Sequence, residues 1–195
     1  MTVVREAAGF FGKVPSHGDF VARRLPAAFT GPWDAWLQAG LADSRARLGA
    51  AWLPTYLNSP IWRFALAAGV CGAQAWGGVM MPSVDRVGRY FPFTIACATA
   101  GVATTVPGPW YAAIEELALS ALGADFALPQ FDAALCVLTP APLGHAPRRA
   151  ALDVASAATF WLGDTDAPCA PAMLTSEDWP AASLFTDLLR GGPAR

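Results

Sequence analysis

The chain has 195 residues, 54% of them hydrophobic and only 14% charged, with a formal net charge of -2 and a pI of about 5.6. High hydrophobicity at low net charge excludes intrinsic disorder, and so few cations on an acidic chain exclude a nucleic-acid binder that works by neutralising phosphates. One domain is expected at this length, able to bury most of its unfolded surface without disulfides or a metal.

In chain order, residues 8–12 read as a short opening strand, and Lys13 at its end reads as an exposed charge. Pro15-Ser16-His17-Gly18-Asp19 is turn chemistry, with proline fixing φ and glycine free to take positive φ. Residues 20–25 return the chain toward the core. A helix is expected next, capped by Thr30 or Gly31 with Pro32 in its first turn. Trp33, Trp36, Leu37, Gly40, Leu41, Ser44 and Leu48 then fall at steps of three and four. They form one stripe opposite Gln38, Asp43, Arg45 and Arg47, and Gly49 is the stop. Residues 52–57 form a short helix or an irregular apolar segment.

Three strands follow at residues 61–68, 75–81 and 91–98; the first two are joined as a glycine-rich hairpin, and a longer polar link leads to the third. Pro107-Gly108-Pro109 opens a second helix carrying Trp110, Ile114, Leu117, Ala118 and Leu122. Residues 131–137 are a short helix or strand. Residues 157–162 and 172–174 read as late strands, and Asp178-Trp179-Pro180 opens a last helix with Leu184, Phe185, Leu188 and Leu189. Near-continuous apolar strands imply a sheet covered on both faces. The fold expected is therefore α/β: a single-domain, three-layer α/β/α sandwich with a mixed or largely antiparallel central sheet.

Cys71, Cys97, Cys136 and Cys169 form no C-x-x-C pair, so buried thiols are expected, not zinc or redox chemistry. No secretory h-region precedes the early charges, which fits a reducing cytoplasm. Residues 64–81 are apolar or small except for Gln74, but fall short of the roughly 20 residues of a spanning helix. Their four glycines mark turns, so a hairpin is expected and no direct membrane insertion.

The chain contains only two histidines, His17 and His145, which offer no metal-ligand cluster. Gly12-Lys13 is not a phosphate loop, because Ala7 and Val14 replace the first glycine and the magnesium-binding hydroxyl. Ser16, His17 and Asp19 supply nucleophile, base and acid by type, yet residues this close within one turn do not converge in a line. Asp19 reads instead as an Asx-type turn residue, and neither a catalytic residue nor a cofactor is assigned. The densest polar segment is Ser83-Val84-Asp85-Arg86-Val87-Gly88-Arg89-Tyr90-Phe91-Pro92. Asp85 can pair with Arg86 or Arg89, as a structural ion pair or as part of a recognition loop on a rigid scaffold. Most of the eight tryptophans are expected in the core, leaving one or two to anchor a partner.

Residues 9–21, from Gly9-Phe10-Phe11-Gly12-Lys13 to Asp19-Phe20-Val21, resemble the opening signature of the TagF (also ImpM) family. These are accessory proteins of bacterial type VI secretion systems. The resemblance continues through Trp33-Asp34-Ala35-Trp36-Leu37 and Ser59-Pro60-Ile61-Trp62-Arg63-Phe64. It is strongest from Gly78 to Pro92. Late in the chain the family's Ser-Leu-Trp-Trp-like strand corresponds to Ala158-Thr159-Phe160-Trp161, with a single tryptophan. The resemblance implies a cytoplasmic α/β/α protein without enzymatic activity, which represses type VI secretion post-translationally by binding the forkhead-associated scaffold protein Fha. Phosphatase activity, found where relatives carry a fused PP2C-type domain, is not carried over to these residues. Ser16, His17, Asp19, Asp85, Arg86, Arg89 and Tyr90 are the candidate partner contacts.

Overall fold

A computed structural model describes residues 7–99, 108–138, 156–163 and 172–192. His145, Cys169 and Pro107 lie outside the described residues. Seven strands form one sheet: β1 (Gly9–Gly12), β2 (Val21–Arg23), β3 (Trp62–Leu66), β4 (Ala75–Met81), β5 (Phe93–Thr99), β6 (Ala158–Trp161) and β7 (Met173–Ser176). Their order is β2-β1-β5-β4-β3-β6-β7 and every pairing is antiparallel. The expected hairpin is β3–β4, with Trp62 opposite Met80 and Leu66 opposite Trp76. The helices are α1 (Ala27–Leu48), α2 (Trp52–Leu57), α3 (Gly108–Ser120), α4 (Leu128–Val137) and α5 (Ala182–Leu189). Residues 131–137 are thus helical, and no described helix is long and apolar enough to cross a membrane.

α1 begins a turn earlier than its sequence signals suggest, with Pro26 and not Thr30 or Gly31 at the cap. Proline holds the preceding Leu25 extended, so the chain enters the helix directly after Pro26. Pro32 therefore lies inside α1, where it has no N–H to give the carbonyl four residues back. Gly49 ends the helix at φ 52°, as expected.

Alternation along the strands sends side chains to two separate apolar clusters. Phe10, Val79, Met81, Phe93, Ile95 and Trp161 pack with Trp110, Tyr111 and Ile114 of α3 and Phe131 and Leu135 of α4. Trp62, Phe64, Leu66, Trp76, Met80 and Phe160 pack with Trp33, Trp36 and Leu37 of α1, Tyr56 of α2, and Phe185 and Leu188 of α5. Arg63 in β3 is buried on the opposite face, toward α3, where Glu115 holds it through two bonds of 2.8 Å. Seven of the eight tryptophans are buried; Trp179 is the exposed one. Cys71 and Cys97 are buried as expected, whereas Cys136 on α4 is exposed because its face of the helix turns away from Phe131 and Leu135.

This topology places the candidate residues. β1 ends at Gly12 opposite Phe93, where β5 starts, and opposite Val21, where β2 starts. The segment between β1 and β2 and the segment between β4 and β5 therefore emerge side by side at one end of the sheet. β3 starts at the same end, with Trp62 opposite Met80, so α2 just before it also lies close.

Candidate functional site: two loops joined by a buried carboxylate

Asp85 joins the two segments. Its side chain has no solvent exposure, and four donors converge on it. Oδ2 accepts from Lys13 Nζ at 2.9 Å and from Arg89 Nε at 2.7 Å. Oδ1 accepts from the backbone N–H of Val87 at 3.0 Å and of Arg89 at 2.9 Å. Burial by itself raises the Asp85 pKa. The Arg89 N–H, the Lys13 and Arg89 side chains and the Val87 N–H outweigh it and hold the carboxyl well below the usual range. The carboxylate is charged at every physiological pH.

Of the two arginines that could pair with Asp85, Arg89 does so and Arg86 does not. The loop folds back on itself, with Val84 bridged to Tyr90 and the Asp85 N–H bonded to the Arg89 carbonyl. Gly88 turns it at φ 85°, in the left-handed region that other residues enter at a cost. Arg89 bonds within its own loop through Nε, and its Nη2 donates to the Gly18 carbonyl of the first loop at 2.5 Å. The Arg86 N–H donates to the His17 carbonyl at 2.9 Å. Three bonds thus cross between the loops: Lys13 to Asp85, Arg86 to His17 and Arg89 to Gly18.

Lys13 is therefore not the exposed strand-end charge its local sequence suggests. It is 6% exposed, and its Nζ also lies 5.1 Å from the Phe20 ring centroid. A buried ammonium requires a counter-charge, and that charge comes from 72 residues away. Nothing local to Gly12-Lys13-Val14 announces it.

The Ser16–His17–Asp19 set does not line up as a triad. Ser16 Oγ and His17 Nδ1 are hydrogen-bonded at 2.9 Å, but Asp19 Oδ1 accepts from the Phe20 N–H at 2.8 Å. The His17 ring meets Phe126 edge-on. Asp19 thus keeps the turn role read from its sequence. Asp19, Arg86 and Arg89 are exposed, and Ser16 and His17 are half-buried. Tyr90 is half-buried too, its ring set edge-on against Trp52 and Tyr56.

Two residues that sequence reasoning passed over complete the site. Tyr56 of α2 donates its hydroxyl proton to the Ser83 carbonyl at 2.8 Å and accepts from the Ser83 N–H at 3.0 Å. Burial pushes its pKa far above the usual phenol range, against the opposing pull of Ser83 and Arg45. A buried tyrosine hydroxyl needs a partner, and Tyr56 within an apolar run is the only signal that could have found it. Phe20 is 41% exposed although its ring stacks on Phe11 and meets Phe91 edge-on at 4.8 Å.

A family model described as the TagF N-terminal domain, type VI secretion system-associated, matches residues 9–138. The chain belongs to the TagF family. The TagF match includes both loops, the whole of α1–α4 and five of the seven strands. The crystal structure of PA0076 from Pseudomonas aeruginosa PAO1 is similar along almost its whole length. The two share 35% identity over 97% of this chain and 96% of that chain, with a TM-score of 0.78. No curated protein matches the chain. Residues 9–21 and 78–92, which Lys13, Asp85 and Arg89 bring together, both lie within the matched residues.

Proposed function

We propose that this TagF-family chain represses type VI secretion after translation by binding the forkhead-associated scaffold protein Fha in the cytoplasm, as a binding module without catalysis of its own. The observation that carries the reading is the joined tip. Two loops far apart in sequence, both within the TagF match, are fixed to each other through one buried carboxylate. A loop fixed in advance loses little conformational entropy when a partner arrives, which favours recognition. Of the candidate contacts, Asp19, Arg86 and Arg89 face solvent and Ser16, His17 and Tyr90 are half-buried, whereas Asp85 is fully buried and acts by holding the tip together, not by touching a partner. Two apolar clusters on alternate strand faces support a three-layer α/β/α arrangement behind it.

Repression follows from mass action: a chain that occupies the scaffold lowers the free scaffold available for assembly, in proportion to its concentration over Kd. The test is deletion of the gene with one secreted marker as readout. A repressor predicts more secretion on deletion, and overproduction predicts less. Loss of secretion on deletion would instead make the chain a structural or assembly component. Co-purification of purified chain with Fha tests the partner directly.

A further inference from the structure

We infer that Arg86 and Phe20 form a two-point docking surface for a short acidic segment of a protein partner that carries a large apolar side chain beside its carboxylate. The inference rests on the scaffold-binding reading above and adds which chemistry of the partner is read.

Arg86 is the uncommitted cation of the tip. Lys13 and Arg89 are both paired to Asp85, and Arg89 also reaches Gly18. Among the described residues the Arg86 guanidinium has neither an ion pair nor a hydrogen bond, and only its backbone N–H is engaged. That backbone bond to His17 fixes the base of the side chain, and the guanidinium lies over Gly18, where a Cβ would sit 3.4 Å from Nη2, with the residue still exposed. Counting Lys13, Arg86 and Arg89 against Asp19 and Asp85 leaves the tip one positive charge in excess, on a chain of net charge -2. The complement of a planar, unpaired guanidinium is a carboxylate, which it can bind through two parallel bonds.

Phe20 supplies the second point. The ring is held by Phe11, Phe91 and Lys13, and the residue is still 41% exposed. Val87, directly after Arg86, is 65% exposed. The Arg86 guanidinium lies over Gly18, two residues before Phe20, and a held, part-exposed aromatic near an arginine has the composition typical of interface hot spots.

Size and charge choose among occupants. A membrane surface or a nucleic acid is bound by several cations together, with clusters of about 4–8 for anionic lipid, and this tip offers one free arginine. A standard protein interface engages about 20–30 residues a side, more than two loop ends present. Strand addition beside β2 is opposed, because Arg23 Nη1 already donates to the outward Ala22 carbonyl at 3.3 Å and the strand is three residues long. A short segment remains.

The test uses the full chain and immobilised peptides tiling Fha, with intact Fha alongside, at about 50 and 300 mM NaCl. At least one peptide with Asp or Glu next to a large apolar residue should bind. Arg86→Glu should weaken that binding about tenfold or more, Phe20→Ser similarly, and salt should weaken the wild type but not R86E. Leu119→Ser on α3, exposed and outside the tip, should change nothing. Equal unfolding temperatures for R86E and wild type separate lost contact from lost fold, and Arg86→Ala serves if R86E misfolds. Peptide binding indifferent to R86E and salt overturns the inference, as does R86-dependent binding to phosphatidylserine vesicles. If intact Fha binds while no peptide does, the segment is wrong and the repressor reading stands. If neither binds, both fall.

Discussion

Tyr56→Phe removes a single oxygen, and the three hydrogen bonds around Ser83 set what that costs. The Ser83 carbonyl accepts from the Tyr56 hydroxyl at 2.8 Å and also from the Phe91 N–H at 3.1 Å, so it keeps one partner in the variant. The Ser83 N–H donates to Tyr56 Oη at 3.0 Å and loses its only partner. Ser83 is 5% exposed and Tyr56 0%, which leaves water little access. An orphaned buried donor costs about 1–3 kcal/mol. The phenyl ring still fills the site, so no cavity cost adds to it. For a domain of this size each kcal/mol lowers Tm by about 2–4 °C, so calorimetry should find a drop of about 2–12 °C. Urea unfolding should show a lower midpoint with unchanged slope, since the surface exposed on unfolding is the same. Amide exchange should quicken at Asp85 and Phe91, whose N–H groups bond across the loop to Arg89 and Ser83. A Tm and exchange pattern equal to wild type would refute the claim that α2 anchors this loop.

Asp85→Asn should lower Tm more than Arg89→Gln, because it leaves Lys13 buried without a counter-charge while Arg89 is exposed. Lys13→Met combined with Asp85→Asn should recover part of that loss in a double-mutant cycle, and strict additivity would mean the pair is not coupled. Stability should fall at both pH extremes, measured as Tm against pH. The lowered Asp85 pKa contributes stability that is complete above the ordinary 3.8 and lost as pH falls below it. Cys71, pushed up to about 12 by burial, and the raised phenols of Tyr56 and Tyr111 contribute stability that is complete below their ordinary values of 9.0 and 10.0 and lost as pH climbs beyond them. Gly40→Ala gains up to about 1 kcal/mol of helix propensity, but its Cβ would sit 2.6 Å from Phe185 Cβ, and such overpacking costs about 1–3 kcal/mol. Net destabilisation is expected on thermal unfolding, and a stabler variant would mean α5 moves aside. Maleimide should label Cys136 in the native protein and spare Cys71 and Cys97 until denaturant is added, as read by peptide mass mapping.

Elements whose signals are local were legible. β4 runs over the expected residues 75–81, and Gly49 stops α1 where its positive φ is needed. The start of α1 was misplaced because two prolines, Pro26 and Pro32, each offer a first-turn signal. The apolar stripe does not separate them, since Phe29, four residues before Trp33, extends it backward. Burial of charge was the least legible feature. Lys13 and Asp85 each look like ordinary loop charges within their own ten residues, and only the β1–β5 pairing brings them together. The choice between Arg86 and Arg89 was open for a different reason. Which one folds back on Asp85 depends on the turn at Gly88, and sequence spacing alone allows either.

A chain with so few charges shows what its charges are for by where they pair. Arg63 and Glu115 fasten β3 to α3, Arg24 and Asp132 fasten the exit of β2 to α4, and Lys13, Asp85 and Arg89 fasten one loop to the other. Each pair links elements that the apolar clusters alone would leave free to adjust. The first two act within the body of the fold. The third acts at its end, where Phe20 and Val87 are left partly exposed. A buried ion pair is by itself seldom net stabilising. What the ion pair supplies is a defined geometry: Arg89 aimed at the Gly18 carbonyl, and Arg86 set on the His17 carbonyl with its guanidinium over Gly18. Fixing loop positions while leaving their outer side chains uncommitted is a design suited to recognition. Lys13→Met combined with Asp85→Asn, which keeps an acceptor for the Val87 and Arg89 N–H groups, should therefore weaken partner binding while costing less Tm than Asp85→Asn alone. Unchanged binding by the double variant would make the ion pair dispensable and remove the argument for a positioned tip.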